Sequence, residues 1–289
     1  LPGDWFSEAA AASFFLSAPH EGPNGTDSFL TPWDVWFDPS RPLGVQSTSA
    51  EWDWRCTAIS LLATIMNSNE VSEAPRAAVL LHLLKKRDTS EEASAQDKKK
   101  GVPDQTLMPS LAVMLYLREY VKVKGAKSAL PTSASDQIWQ FSFASLKDPV
   151  PLVRRLHVEI LSLLVYIQHQ IPESRLPRTI LQQMSSETTS ESPAMRSAVA
   201  LLCGSVLRTF AWGDRCQGRE VTCPYVNSVV PMLLRLAKET TMPVRLWMFH
   251  SIYLSMEACR AAFMPFLKDA LRLATAHILA DFFESPLVL

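Results

Sequence analysis

With 289 residues, 47% hydrophobic and 20% charged, the chain has apolar material enough for one long domain or two ordinary ones. Its 28 basic and 29 acidic residues leave a net charge of −1, without the basic excess that marks a general binder of nucleic acid or anionic membrane. Nine glycines are too few for turn-rich sandwiches or glycine-loop nucleotide folds, and five scattered cysteines (Cys56, Cys203, Cys216, Cys223, Cys259) make no disulfide framework, which points to an intracellular location, cytoplasm or nucleus.

Residues 4–18 read as a helix, with Asp4 as its cap and a run of alanines. Residues 19–50 carry Pro19, Pro23, Pro32, Pro39 and Pro42, which exclude a helix through most of the segment. Trp33, Trp36 and Phe37 lie among them. These three aromatics are the candidate partner-binding residues, since tryptophan is enriched at interface hot spots. The same residues also suit cover for the end or inner side of the chain's own helical stack, and self-packing is the preferred reading. Residues 1–50 are thus taken as an N-terminal helix plus an extended Pro/Trp-rich segment.

Residues 51–87 form a first helical repeat. Trp54, Ala58, Leu61, Leu62 and Ile65 recur at helical spacing over 51–68. A second helix follows over 72–87, with Pro75 in its first turn and Lys85, Lys86 and Arg87 in its last, where positive charge suits the helix dipole. Residues 88–104 have no large apolar side chain except Val102 and read as a flexible polar loop. From 105 to 289 the chain reads as further helical repeats, over about 106–123, 134–147, 150–170, 173–184, 193–212, 224–239, 243–259 and 261–283. Breaks are placed at Ser185–Ser192 and Gly213–Thr222. Leu1 and Leu289 read as the ends of a piece of a longer chain. No apolar run reaches the roughly 18 residues that span a bilayer, so no membrane insertion is expected.

Three helix starts resemble one another. Pro151 precedes Arg154, Pro193 precedes Arg196, and Pro243 precedes Arg245, with Val153, Met195 and Val244 directly before the arginines. The arginines stand 42 and 49 residues apart. This resembles the second-helix start of HEAT repeats, where a short Asp/Pro turn leads into a Val-Arg pair, and the period fits HEAT and armadillo units. The resemblance covers about 134–283. It departs from the family pattern in having one clear turn aspartate, Asp148. It implies an all-α, HEAT/armadillo-like α-solenoid of stacked antiparallel helix pairs. Pro151, Arg154, Pro193, Arg196, Pro243 and Arg245 are its repeat-defining structural residues. A helix such as 152–167, apolar around most of its circumference, must be buried on several sides, as stacked pairs allow.

Signals for chemistry are sparse. The six histidines form no His-Glu-x-x-His and pair with no cysteine at ligand spacing. Cys216 and Cys223 come nearest to a metal cluster, but two thiols make half a zinc site, and they are expected to be two unpaired loop thiols. Phosphate-loop, dinucleotide and nucleophile-elbow patterns are absent. Cys203-Gly204-Ser205 lies in an apolar run and reads as a close helix contact. His157 and Glu159 diverge on a helix and do not read as an acid/base pair. The sequence therefore gives no catalytic, cofactor-binding or metal-binding residue. The expected role is a non-catalytic scaffold or adaptor that binds one or more proteins within a larger complex. The alternatives are a nucleic-acid-associated solenoid, using rows such as Lys98–Lys100, Lys122, Lys124, Lys127 and arginines 154, 155, 175 and 178, or a regulatory subunit of an enzyme complex.

Overall fold

A computed structural model describes residues 61–62, 65–66, 73–85, 107–124, 130, 132–148, 151–236 and 241–284. Among these residues every regular element is helical and none is a strand. The helices are α1 (Glu73–Lys85), α2 (Leu107–Lys124), α3 (Thr132–Ala144), α4 (Pro151–His169), α5 (Leu176–Glu187), α6 (Pro193–Cys216), α7 (Val226–Arg235), α8 (Met242–Cys259) and α9 (Met264–Glu284). Short 3₁₀ turns follow α3 at Ser145–Lys147 and α8 at Arg260–Phe263. The Pro/Trp-rich segment with Trp33, Trp36 and Phe37, and the loop 88–104, lie outside the described residues.

The helix starts follow from local chemistry. Proline stands in the first turn of α4, α6 and α8, where its missing N–H removes no intrahelical bond and its fixed φ favours the helix. At α6 the Ser192 hydroxyl also accepts from the Met195 amide at 3.4 Å. The helix ends differ from expectation at two places. The break placed at Ser185 begins later, because α5 runs on to Glu187; Gln183 donates to the Glu187 carboxylate and Thr188 to the Ser185 carbonyl across its last turn. The break placed at Gly213 is the last turn of α6, which continues to Cys216. Gly218, in the left-handed region at φ 64°, ends it, with its amide on the Arg215 carbonyl at 3.0 Å.

The chain divides into two compact units, residues up to Leu176 and residues from Pro177, a division that falls inside the span 105–289. In the first unit α2 and α4 form the most extensive pair; α3 packs on α4, and α1 on both α2 and α3. Every residue of α4 from Val153 to Gln168 is buried, as its all-round apolarity requires. Leu115, Leu117, Tyr120, Ile138, Leu156, Ile160 and Tyr166 fill the core.

In the second unit α6 and α8 pair most extensively, α7 packs on both, and α9 touches α7. Val199, Leu202, Val206, Phe210, Val229, Leu233 and Met248 are among its buried residues. The two central helices meet at small residues. A Cβ placed on Gly204 would sit 2.7 Å from both Cα and Cβ of Ser251 and 2.8 Å from its hydroxyl. Gly204 is therefore required by backbone proximity, in line with its reading as a close helix contact. By length and composition alone α6 is apolar enough to cross a bilayer. Most of it is buried in this unit as a core helix.

Candidate functional site

Two of the three arginines singled out, Arg154 and Arg196, tie a turn to the helix that follows it. The Arg154 guanidinium donates to the backbone carbonyl of Asp148, and that of Arg196 to the carbonyl of Ser190, in each case six residues back. The amides at those acceptor residues point the other way. Asp148 N–H donates to Ser145 O at 3.1 Å, and Ser190 N–H to Glu187 O at 3.1 Å. Each turn is thus held by its amide to the preceding helix and by its carbonyl to the arginine of the next helix. Six residues before Arg245 stands Glu239, outside the described residues. Proline sets the direction of the new helix and the arginine ties the turn to it. Both bonds have a charged donor, the stronger class of hydrogen bond.

Burial gives the arginines of α4 an uncommon setting. Arg154 and Arg155 are buried. Loss of hydration holds the Arg154 guanidinium down to about 10. Burial, reinforced by the Arg154 charge beside it, holds Arg155 down to about 9. Neither presents a cation to a ligand at the surface. Of the arginines considered for a nucleic-acid row, Arg175 and Arg178 are exposed, and 154 and 155 are removed from it.

A polar seam runs along α4. His157 Nε2 shares a 3.0 Å hydrogen bond with the hydroxyl of Ser110 on α2, and its ring meets Phe141 of α3 edge-on at 5.2 Å between centroids. Gln168 donates to Ser135 of α3 at 2.8 Å and accepts from Ser174, in the turn after α4, at 2.8 Å. His157 and Glu159 are both buried on α4, and the bond from His157 to Ser110 crosses to another helix, so its geometry is that of a helix–helix tie.

The corner after α6 carries Cys223 and is fastened by Asp214. The buried Asp214 carboxylate accepts from the Thr222 amide and hydroxyl, both at 2.8 Å, and the Asp214 carbonyl accepts from the Arg219 amide at 2.8 Å. Tyr225 packs edge-on against Phe210 at 5.5 Å. The loop is pinned on both sides of Cys223. Cys223 itself is half-buried. Cys216, the last residue of α6, is exposed, and neither forms a disulfide. Cys203 is buried, and desolvation pushes its thiol up to about 12. Among the described residues no three or more His, Cys, Asp or Glu side chains come together as metal ligands. No family model, curated protein or solved structure matches this chain.

The bonds of Arg154 and Arg196 are local, each reaching a carbonyl six residues back in the chain. Sequence reading missed Ser110–His157 and Ser135–Gln168, whose partners are separated by 47 and 33 residues. Polar residues inside apolar runs, such as His157 and Gln168, carried the available signal, because buried polar groups need partners.

Proposed function

We propose that the chain is a non-catalytic scaffold or adaptor: a HEAT/armadillo-like α-solenoid whose stacked helix pairs present an extended surface to another protein. One observation carries the solenoid reading. Within each unit, helices two apart in sequence pack together as neighbours do: α1 with α3 and α2 with α4 in the first, α6 with α8 and α7 with α9 in the second. A two-row stack produces this pattern, one row of even and one of odd helices. The proline–arginine starts open α4 in the first unit and α6 and α8 in the second, the helices that would each be the second of a HEAT pair. The step from solenoid to protein binding rests on what such folds commonly do. The burial of Arg154 and Arg155 leaves the nucleic-acid alternative with fewer surface cations and favours protein as the ligand.

The test is affinity capture from cell lysate with the wild-type chain and with Trp33→Ala/Trp36→Ala, with and without nuclease, alongside thermal melts. A defined set of proteins that survives nuclease, and weakens in the variant at unchanged melting temperature, supports the adaptor reading and places its anchor on the tryptophans. Loss of capture together with a lower melting temperature assigns the tryptophans to self-packing. Retention of RNA or DNA alone sinks the adaptor reading.

A further inference from the structure

We propose that Ser192 is a phosphorylation site for a proline-directed protein kinase, and that its phosphate draws the Arg196 guanidinium off the Ser190 carbonyl, opening the clasp before α6.

Among the described residues, Ser192 is the one serine or threonine followed by proline. Proline-directed kinases take an extended segment with proline directly after the acceptor hydroxyl. The turn before α6 already has that form. Ser192 lies outside regular structure, with extended backbone at φ −77° and ψ 114°, the region that a following proline favours. It is half-buried, between the exposed Glu191 and Pro193. The neighbouring hydroxyls are engaged as donors. Ser186 donates to the Gln183 carbonyl at 2.8 Å, Thr188 to that of Ser185 at 2.8 Å, and Thr189 to that of Ser186 at 3.0 Å. The Ser192 hydroxyl instead accepts, from the Met195 amide at 3.4 Å, so it holds the turn through its oxygen rather than its proton.

In the transfer, Ser192 Oγ attacks the γ-phosphorus of ATP. The Oγ–P bond forms, the bond from that phosphorus to the β,γ-bridging oxygen breaks, and ADP leaves. The hydroxyl proton passes to the base of the kinase and then to solvent. The product carries a charge of about −2 at pH 7 and three acceptor oxygens. Arg196 is placed to receive it. It stands four residues on, one helical turn away, and its guanidinium already reaches back past Ser192 to the Ser190 carbonyl. A phosphate dianion displaces a neutral carbonyl from a guanidinium, because the new pair is charged on both sides and can be bidentate. The opposite tie, from the Ser190 amide to the Glu187 carbonyl at 3.1 Å, is untouched. Modification therefore releases the turn from α6 and leaves it fastened to α5.

The experiment treats the full chain, and a synthetic peptide covering 186–198 as reference, with a cyclin-dependent kinase and magnesium ATP, and maps the phosphate by tandem mass spectrometry. The expected product in both is a phosphate on Ser192. Ser192→Thr keeps it, and Ser192→Ala removes it. Pro193→Ala also removes it, while leaving the helical circular dichroism unchanged because alanine is a good helix former. Phosphorus NMR should then show the phosphate of the folded chain titrating at lower pH than that of the peptide. Arg196→Gln should return it to the peptide's value. The Ser190 carbonyl carbon resonance should move on phosphorylation to its position in Arg196→Gln. A peptide that is modified while the folded chain is not, phosphate on other residues with none on Ser192, or no modification of either overturns the site. A titration identical in chain and peptide overturns the capture of Arg196.

Discussion

The two units build their central helix pair in opposite ways. In the first, α2 and α4 meet through large side chains and a long-range polar tie, with Tyr120, Leu156 and Ile160 in the core and Ser110 bonded to His157. In the second, α6 and α8 come so close at Gly204 and Ser251 that there is no room for one methyl group. A large-residue interface tolerates small changes in volume by repacking. A backbone contact tolerates none, because the obstructing atom cannot rotate away. One packing pattern therefore carries two different vulnerabilities.

The comparison breaks most sharply at Gly204. Gly204→Ala gains about 1 kcal/mol of helix propensity, but forcing α6 and α8 apart costs about 3 kcal/mol or more because the contact is with the Ser251 Cα. The expected net loss of about 2 kcal/mol should appear as a lower urea midpoint for the second unit. Gly204→Leu should prevent that unit from folding, seen as loss of dispersed methyl signals in NMR. In the first unit, Arg154→Ala removes a charged donor from the Asp148 carbonyl and leaves a gap in a buried helix start, a loss of about 2 kcal/mol in urea titration. His157→Leu keeps most of the ring's bulk but strips Ser110 of this bond, for a loss of about 1 kcal/mol. A Ser110→Ala/His157→Leu double variant should lose less than the sum of the single losses.

The smallest effect is one of pH. Burial holds Arg155 at about 9, against 12.5 when exposed. Between those values the unfolded chain binds a proton that the folded chain does not, so stability from this residue rises with pH across the window. Wild-type stability measured against Arg155→Met should move in favour of the wild type from pH 9 upward. A flat difference would mean that Arg155 keeps its charge in the fold.

The helices were legible where sequence chemistry is local. Pro151, Pro193 and Pro243 mark starts that the structure places within one or two residues, and the all-helical class follows from apolar spacing alone. Helix ends were less legible. Gly213 and Asp214 read as a break because glycine and aspartate commonly stop helices, yet Asp214 turns inward to hold Thr222 and the helix runs past them. That reversal depends on residues folding back from 219–222, beyond the reach of a local window. Likewise, no spacing rule pairs Ser110 with His157, which meet because α2 and α4 pack side by side.

The arginine joints have a consequence for how these turns change over generations. Arg154 and Arg196 reach main-chain oxygens, which every residue type supplies, so the side chain at the acceptor position is not constrained by the bond. Aspartate serves at 148 and serine at 190 with the same partner geometry. A clasp addressed to the backbone lets the turn drift in composition while the angle between successive helices is kept. The arginine bond is made where an aspartate stands in the turn, at 148, and where it does not, at 190.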